Sequence, residues 1–200
     1  MEKKSKNSAV FEMVKERHRK SFETALEEKK MDEQLISLCK FVASTKNFFT
    51  SSGCAGRIVL LRLDENESKK ESAFYRKWHC TVSAKEIIEA IDASTDENLW
   101  LKQEPFILHI GTGNIENSRK ILEAMREAGV KRGGISVAKE GKFLVELLGS
   151  NFMSIPVKVK GKKIVSNDFI ENIAEIANKK LERNYENLKR LELALKEKLR

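Results

Sequence analysis

The sequence predicts an α+β fold: a mixed, mostly antiparallel sheet with packed helices and a long C-terminal helix, not a classical Rossmann sheet. Three observations carry this. Runs of β-branched and other apolar residues come in neighbouring pairs joined by short glycine turns, at Glu140-Gly141 and Gly161, which favours hairpins. Stretches near both ends of the chain repeat their apolar residues at three- and four-residue steps, the helical period. Strands and helices do not alternate regularly, so segregated layers are expected rather than a parallel sheet. Residues 1–200 are read as one domain, with a helix over 1–30 and a long helix over 167–200.

Taken in order, Asn7 to Lys30 reads as the first helix, with Val10, Phe11, Val14, His18, Phe22, Ala25 and Leu26 on its stripe. His18 on that stripe is expected to be a packed core-edge residue. Asp32 is placed as the N-cap of a second helix, Glu33 to Ser44, which turns Leu35, Leu38, Cys39 and Val42 inward. A serine-rich connector, Phe48 to Arg57, leads to a buried strand, Ile58 to Leu63, and Asp64 to Ser72 reads as a charged hairpin connector. Ala73 to Val82 is the returning strand, with Phe74, Arg76, Trp78 and Cys80 on one face and Tyr75, Lys77, His79 and Thr81 on the other. One of those faces is expected to be core.

Ser83 caps a short helix, Ala84 to Ile91. Leu99 to Gln103 is extended, and Glu104 to Ile110 is a strand with Pro105 at its first position, where a missing N–H is tolerated. Gly111-Thr112-Gly113-Asn114 turns into a helix, Ile115 to Ala128, ended by Gly129. Val130 to Ile135 reads as a basic, flexible loop, followed by hairpins over 135–148 and 155–165. Asn167 caps the last helix, whose stripe is read as Phe169, Ile173, Ile176, Lys180, Asn184, Leu188, Leu191 and Leu195.

Composition narrows the partners. Thirty-eight Lys and Arg against thirty Asp and Glu give a net charge of +8, which favours an acidic partner, nucleic acid being the commonest. Cys39, Cys54 and Cys80 form no close-spaced pair, consistent with a reducing, cytoplasmic interior. The start of the chain is polar and charged, without the pattern of a signal peptide. No apolar run reaches the length of a membrane span.

The stretch Phe48-Phe49-Thr50-Ser51-Ser52-Gly53-Cys54-Ala55-Gly56-Arg57 is the strongest candidate site. Small hydroxylated residues and glycines let backbone N–H groups approach an anion. Arg57 adds a bidentate donor fork. Gly111 and Gly113, between a strand and a helix, form a second candidate anion or nucleoside cradle. Cys54, His79, Cys80 and His109 show no metal-ligand spacing, and no metal is expected.

Thr50, Ser52, Cys54, Gly56 and Arg57 match the F-T-T-S-S-C-S-G-R signature of the wybutosine-synthesis methyltransferases, which the chain therefore resembles. Further motifs follow in the same order. Glu104-Pro105-Phe106-Ile107-Leu108-His109 resembles the family's E-P-F-x-L-H, and Gly134-Ile135 ends a segment similar to G-F-R-N-S-G-I. His79 falls at a family histidine, Pro156 at a V-P pair, and Ala177-Asn178-Lys179 resembles A-N-x-K. Gly53 stands for a serine, and Leu148-Gly149 for an arginine-serine pair.

The resemblance implies methyl transfer from S-adenosylmethionine to a ring nitrogen of the 4-demethylwyosine base beside the anticodon of phenylalanine tRNA. It implies His79, His109 and Glu104 as candidates for the catalytic proton acceptor. Ser51, Ser52, Cys54, Gly56, Arg57, Gly111 and Gly113 are then the cofactor-binding candidates. Thr50, Trp78, Lys131, Arg132 and Gly134 are the candidates for holding base and RNA, with Phe49 and Phe106 as further aromatic platforms. A non-catalytic RNA-binding paralogue is the alternative that the Gly53 and Leu148-Gly149 departures motivate.

Overall fold

The computed structural model describes residues 2–63 and 73–199. The Asp64–Ser72 connector lies outside the described residues. The chain divides into two compact units. The first comprises residues 1–55, 106–150 and 185–200, and the second residues 56–105 and 151–184.

The first unit holds helices α1 (Glu2–Glu27) and α2 (Glu33–Ser44) and strand β1 (Phe48–Cys54). It also holds β5 (Ile107–Thr112), α4 (Ile115–Glu127), β6 (Arg132–Lys139) and β7 (Lys142–Leu148). Its sheet has the order β1-β5-β7-β6, and every pairing is antiparallel. Alternation along β1 sends Phe48 and Phe49 to opposite faces. Phe48 joins the main core with Leu35, Leu38 and Val42 of α2, Ile121 and Met125 of α4, and Leu108, Ile110, Val145 and Leu147 of the sheet. Phe49 packs on the other face, in a small cluster with Phe11 and Val14 of α1. His18 of α1 stacks on the Phe49 ring, centroids 4.7 Å apart and planes 9° from parallel. Burial of that ring, with Arg17 and Lys142 nearby, pushes its pKa below the ordinary histidine value.

The second unit holds β2 (Arg57–Arg62), β3 (Ala73–Trp78), α3 (Ala84–Ala93), β4 (Leu99–Glu104), β8 (Met153–Val159) and β9 (Lys162–Lys163). Its antiparallel sheet has the order β3-β2-β4-β8-β9. Helix α5 (Asn167–Lys198) starts in this unit and passes into the first after Asn184. Ile58, Leu60, Leu99 and Leu101 from the sheet are fully buried, as are Ile87 of α3 and Leu181 of α5, with Ile91, Val157 and Ile170 almost so. Ser83 and Glu86 form a reciprocal capping box at the start of α3.

Several expectations need correcting. The serine-rich segment is a strand, not a connector, because its backbone pairs with β5. Val130–Ile135 is not a loop beyond Lys131; from Arg132 it pairs with β7. Pro105 and Phe106 lie between β4 and β5, so Pro105 does not open a strand. Strand β3 stops at Trp78 and has no buried residue, because it is the edge of its sheet. Ser166, not Asn167, caps α5: its Oγ accepts from the Phe169 N–H at 3.2 Å. The buried stripe of α5 in the second unit is Ile170, Ala174, Ala177 and Leu181, one position on from the expected phase, and Phe169 and Ile176 are exposed. Beyond it, Leu188, Leu191, Leu195 and Leu199 enter the core of the first unit rather than projecting. Gly129 ends α4 as expected, at φ 73°, with Val130 N–H donating to the Met125 carbonyl and Gly129 N–H to that of Arg126, a Schellman motif.

Candidate active site

Strand β1 carries an irregularity that places the chemistry. Thr50 pairs with Ile110 and Gly53 with Leu108, so Ser51 and Ser52 together oppose His109. This is a β-bulge, which turns a side chain out of the regular alternation. Ser52 Oγ lies 3.0 Å from His109 Nδ1. On the other side of the ring, His109 Nε2 lies 3.1 Å from Glu146 Oε2. Glu146 sits directly across from His109 on β7, and Gly134 of β6 sits directly across from Glu146. Ser52, His109, Glu146 and Gly134 thus form one row across the sheet. The His109 side chain is 18% exposed and that of Glu146 36%, so the chain of groups reaches the surface at Ser52.

A carboxylate only accepts hydrogen bonds, so an ionised Glu146 selects the tautomer with the proton on Nε2. Nδ1 is then the acceptor and the Ser52 hydroxyl the donor. The Ser52 oxygen keeps its lone pairs for a proton from elsewhere. Glu146 was not foreseen from sequence.

Next to this row is a cavity of about 200 Å³, lined by Thr50, Ser51, Ser52 and Gly53 of β1 and by residues of α1 and α2. Phe22, Ala25, Met31 and Leu35 give it an apolar wall, and Lys30, Asp32 and the three hydroxyls a polar one. Cys39 also lines it; burial holds its thiol pKa up at about 12, so it stays protonated. Asp32 occupies the N-cap position of α2 without capping it; its Oδ2 accepts from the Ala55 N–H at 2.7 Å and ties the end of β1 to the start of α2. A Cβ on Gly53 would lie 3.1 Å from Leu35 Cδ1 and 3.2 Å from Leu108 Cδ1. A serine there would need these two leucine methyls to give by a few tenths of an ångström.

Among comparisons with known proteins, the sequence model of the family described as Methyltransferase TYW3 matches residues 4–197. The chain belongs to that family. A TYW3-family relative from Pyrococcus horikoshii, named tRNA(Phe) 7-((3-amino-3-carboxypropyl)-4-demethylwyosine(37)-N(4))-methyltransferase 1, is 33% identical over 91% of this chain and 93% of its own. The mouse tRNA wybutosine-synthesizing protein 3 homolog is 31% identical over 77% of this chain and 61% of its own. The solved structure of the PH1069 protein from Pyrococcus horikoshii superposes with a TM-score of 0.87 at 32% identity, covering 93% of this chain and 96% of that one.

The other candidate residues fall as follows. In the second unit, Arg57 and Glu104 face each other across β2 and β4, with Arg57 Nε donating to Glu104 Oε2 at 2.6 Å. The Arg57 guanidinium lies 4.4 Å from the Phe74 ring centroid. Gly56, at φ 99°, is buried beside Asn184 and Leu181. Trp78 ends β3 half-buried, and His79 follows it, exposed, in a bend rather than on a strand. In the first unit, Cys54 ends β1 half-buried, and Lys131 and Arg132 are exposed at the start of β6. Gly111 lies under the Phe49 ring, where a Cβ would come within 2.0 Å of Cζ. Gly113 lines a separate cavity of about 580 Å³ with Phe11, Glu12, Lys46, Asn47 and Asn114. Phe49 and Phe106 are core side chains, 2% and 0% exposed, and offer no face to a base.

Proposed function

We propose that this chain methylates N4 of a 4-demethylwyosine-type base in tRNA(Phe), using S-adenosylmethionine. The observation that carries the reading is the Ser52–His109–Glu146 chain of hydrogen bonds that starts on the signature strand and crosses the sheet. Nitrogen methylation releases a proton from the acceptor, and a positioned base assists its departure. Ser52 Oγ receives the proton from the ring N–H and passes its own to His109 Nδ1. Glu146 stabilises the imidazolium that results. The proton leaves through groups already in contact, so no side chain has to move.

S-adenosylmethionine supplies an electrophilic methyl group when bound. The 200 Å³ cavity is smaller than the roughly 300 Å³ at which sites for drug-sized ligands begin, so it fits part of that molecule. Its apolar wall suits the methylene arm, and Lys30 with the Thr50, Ser51 and Ser52 hydroxyls suits the carboxylate. The exposed Lys131 and Arg132 are suited to phosphates of the anticodon loop. No helix among the described residues is long and apolar enough to cross a membrane, and we place the protein in the cytoplasm with its tRNA.

The test is methyl transfer from labelled S-adenosylmethionine to tRNA(Phe) bearing the demethylated tricyclic base. Label should enter the tRNA with wild type and fall about 100- to 10,000-fold with His109→Ala, while calorimetry shows cofactor binding retained. Folded wild type that binds no S-adenosylmethionine, or transfers no methyl, would leave only the non-catalytic RNA-binding reading.

A further inference from the structure

The sheet of the second unit has two unlike faces. One carries Ile58, Leu60, Leu99, Leu101 and Gln103, all 0–1% exposed. The register fixes what lies on the other. Lys77, Val59, Lys102 and Ser154 form one row across β3, β2, β4 and β8, and Phe74, Leu61, Trp100 and Pro156 form the next. Arg57 and Glu104 continue the same face. Phe74 is 39% exposed there, Lys77 and Ser154 are exposed, Leu61, Trp100, Lys102 and Pro156 are half-buried, and Val59 beneath them is fully covered.

Cations sit on these rings. Arg57 lies 4.4 Å and Lys77 5.2 Å from the Phe74 centroid, and Lys102 lies 5.9 Å from that of Trp100. Such contacts occur roughly once per 70–80 residues in proteins; here three fall on one face. Glu104 is the acidic residue in these rows, and it is engaged by Arg57, so the face is net positive.

We infer that this basic, aromatic face is a platform for single-stranded RNA. An unpaired base stacks on Phe74 beside Trp100, and Lys77 and Lys102 neutralise the flanking phosphates. Bases stack on exposed aromatic rings whatever their sequence, and basic groups beside the rings track the backbone. A protein partner fits less well, since protein interfaces are depleted in lysine. The inference rests on the reading that the chain takes a tRNA substrate, and adds where a looped-out part of that RNA lies.

The test is fluorescence anisotropy with full-length protein, using a labelled tRNA(Phe) transcript and a labelled 12-nucleotide single-stranded RNA. Phe74→Ala should weaken single-strand binding about 5- to 100-fold with an unchanged salt slope, and Phe74→Tyr should restore it. Lys77→Ala and Lys102→Ala should each reduce the slope by about 0.7. Circular dichroism checks folding; if Phe74→Ala does not fold, Phe74→Leu against Phe74→Tyr makes the same comparison. Wild type that binds tRNA while the Phe74 variants bind both RNAs equally well overturns the platform alone. Wild type that binds neither RNA overturns the platform and the tRNA reading together. Loss of a co-purifying protein with unchanged RNA binding assigns the face to a protein and also overturns it.

Discussion

Glu146 Oε2 lies 3.1 Å from His109 Nε2, from a position directly across on the neighbouring strand. The contact is therefore built by the sheet's register rather than by a loop, and the imidazole is held from behind while Ser52 meets it from the front. Replacing Glu146 with Leu should leave the fold intact, since its side chain is over a third exposed. It should release the ring to exchange between tautomers, visible in the nitrogen NMR shifts of His109. Methyl transfer should fall about tenfold or more through kcat, with Glu146→Asp recovering part of it. An unchanged tautomer in Glu146→Leu would remove Glu146 from the mechanism.

Arg57 and Glu104 form a part-exposed pair, 25% and 31% by side chain. Pairs of this kind contribute about 1 kcal/mol or less. Arg57→Ala should accordingly lower the Tm by only a few degrees while weakening RNA binding by about tenfold. An unfolded Arg57→Ala protein would make the residue structural.

Gly111 should tolerate no side chain. Its missing Cβ leaves room for the Phe49 ring, which is itself stacked on His18. Gly111→Ala should cost about 1–3 kcal/mol by overpacking, measured by denaturant unfolding. Pairing it with Phe49→Leu should recover part of that loss, because the two changes share one space.

His18 gives stability a pH dependence. Its pKa is lowered in the folded state, first by burial and then by Arg17 and Lys142. Between the lowered value and the ordinary one near 6.5, the unfolded chain binds more protons than the folded one. The stability contributed by the neutral ring is complete above 6.5 and is lost as pH falls from there through the folded value. Urea unfolding between pH 7.5 and 5 should show this fall, and His18→Phe should flatten it.

Much of the architecture was legible locally. The limits of α2, the Ser83 cap, the Gly129 stop and the two later hairpins follow from side-chain period, capping residues and glycine turns. The serine-rich segment shows why other parts were not. Ser51, Ser52 and Gly53 have the composition of a loop, and only their partner β5, some 57 residues on, makes them a strand. Glu146 sits between Val145 and Leu147, as any outward residue of a strand does. The signal that would have found it is that His109 likewise sits between two buried residues, Leu108 and Ile110; the two strands' matching phase puts both polar groups on one face. In α5, Ala174 and Ala177 were underweighted beside Phe169 and Ile176, although small side chains are what let a helix sit close.

The bulge at Ser51 and Ser52 has a consequence for how the sequence can change length. One surplus residue there sets the parity of everything downstream in β1. Deleting either serine would restore even alternation and swap inside for outside from Gly53 to the end of the strand, or else drag Phe48 and Phe49 to the wrong sides of the sheet. Lineages descended from this chain should therefore keep the spacing from Phe48 to Arg57 fixed.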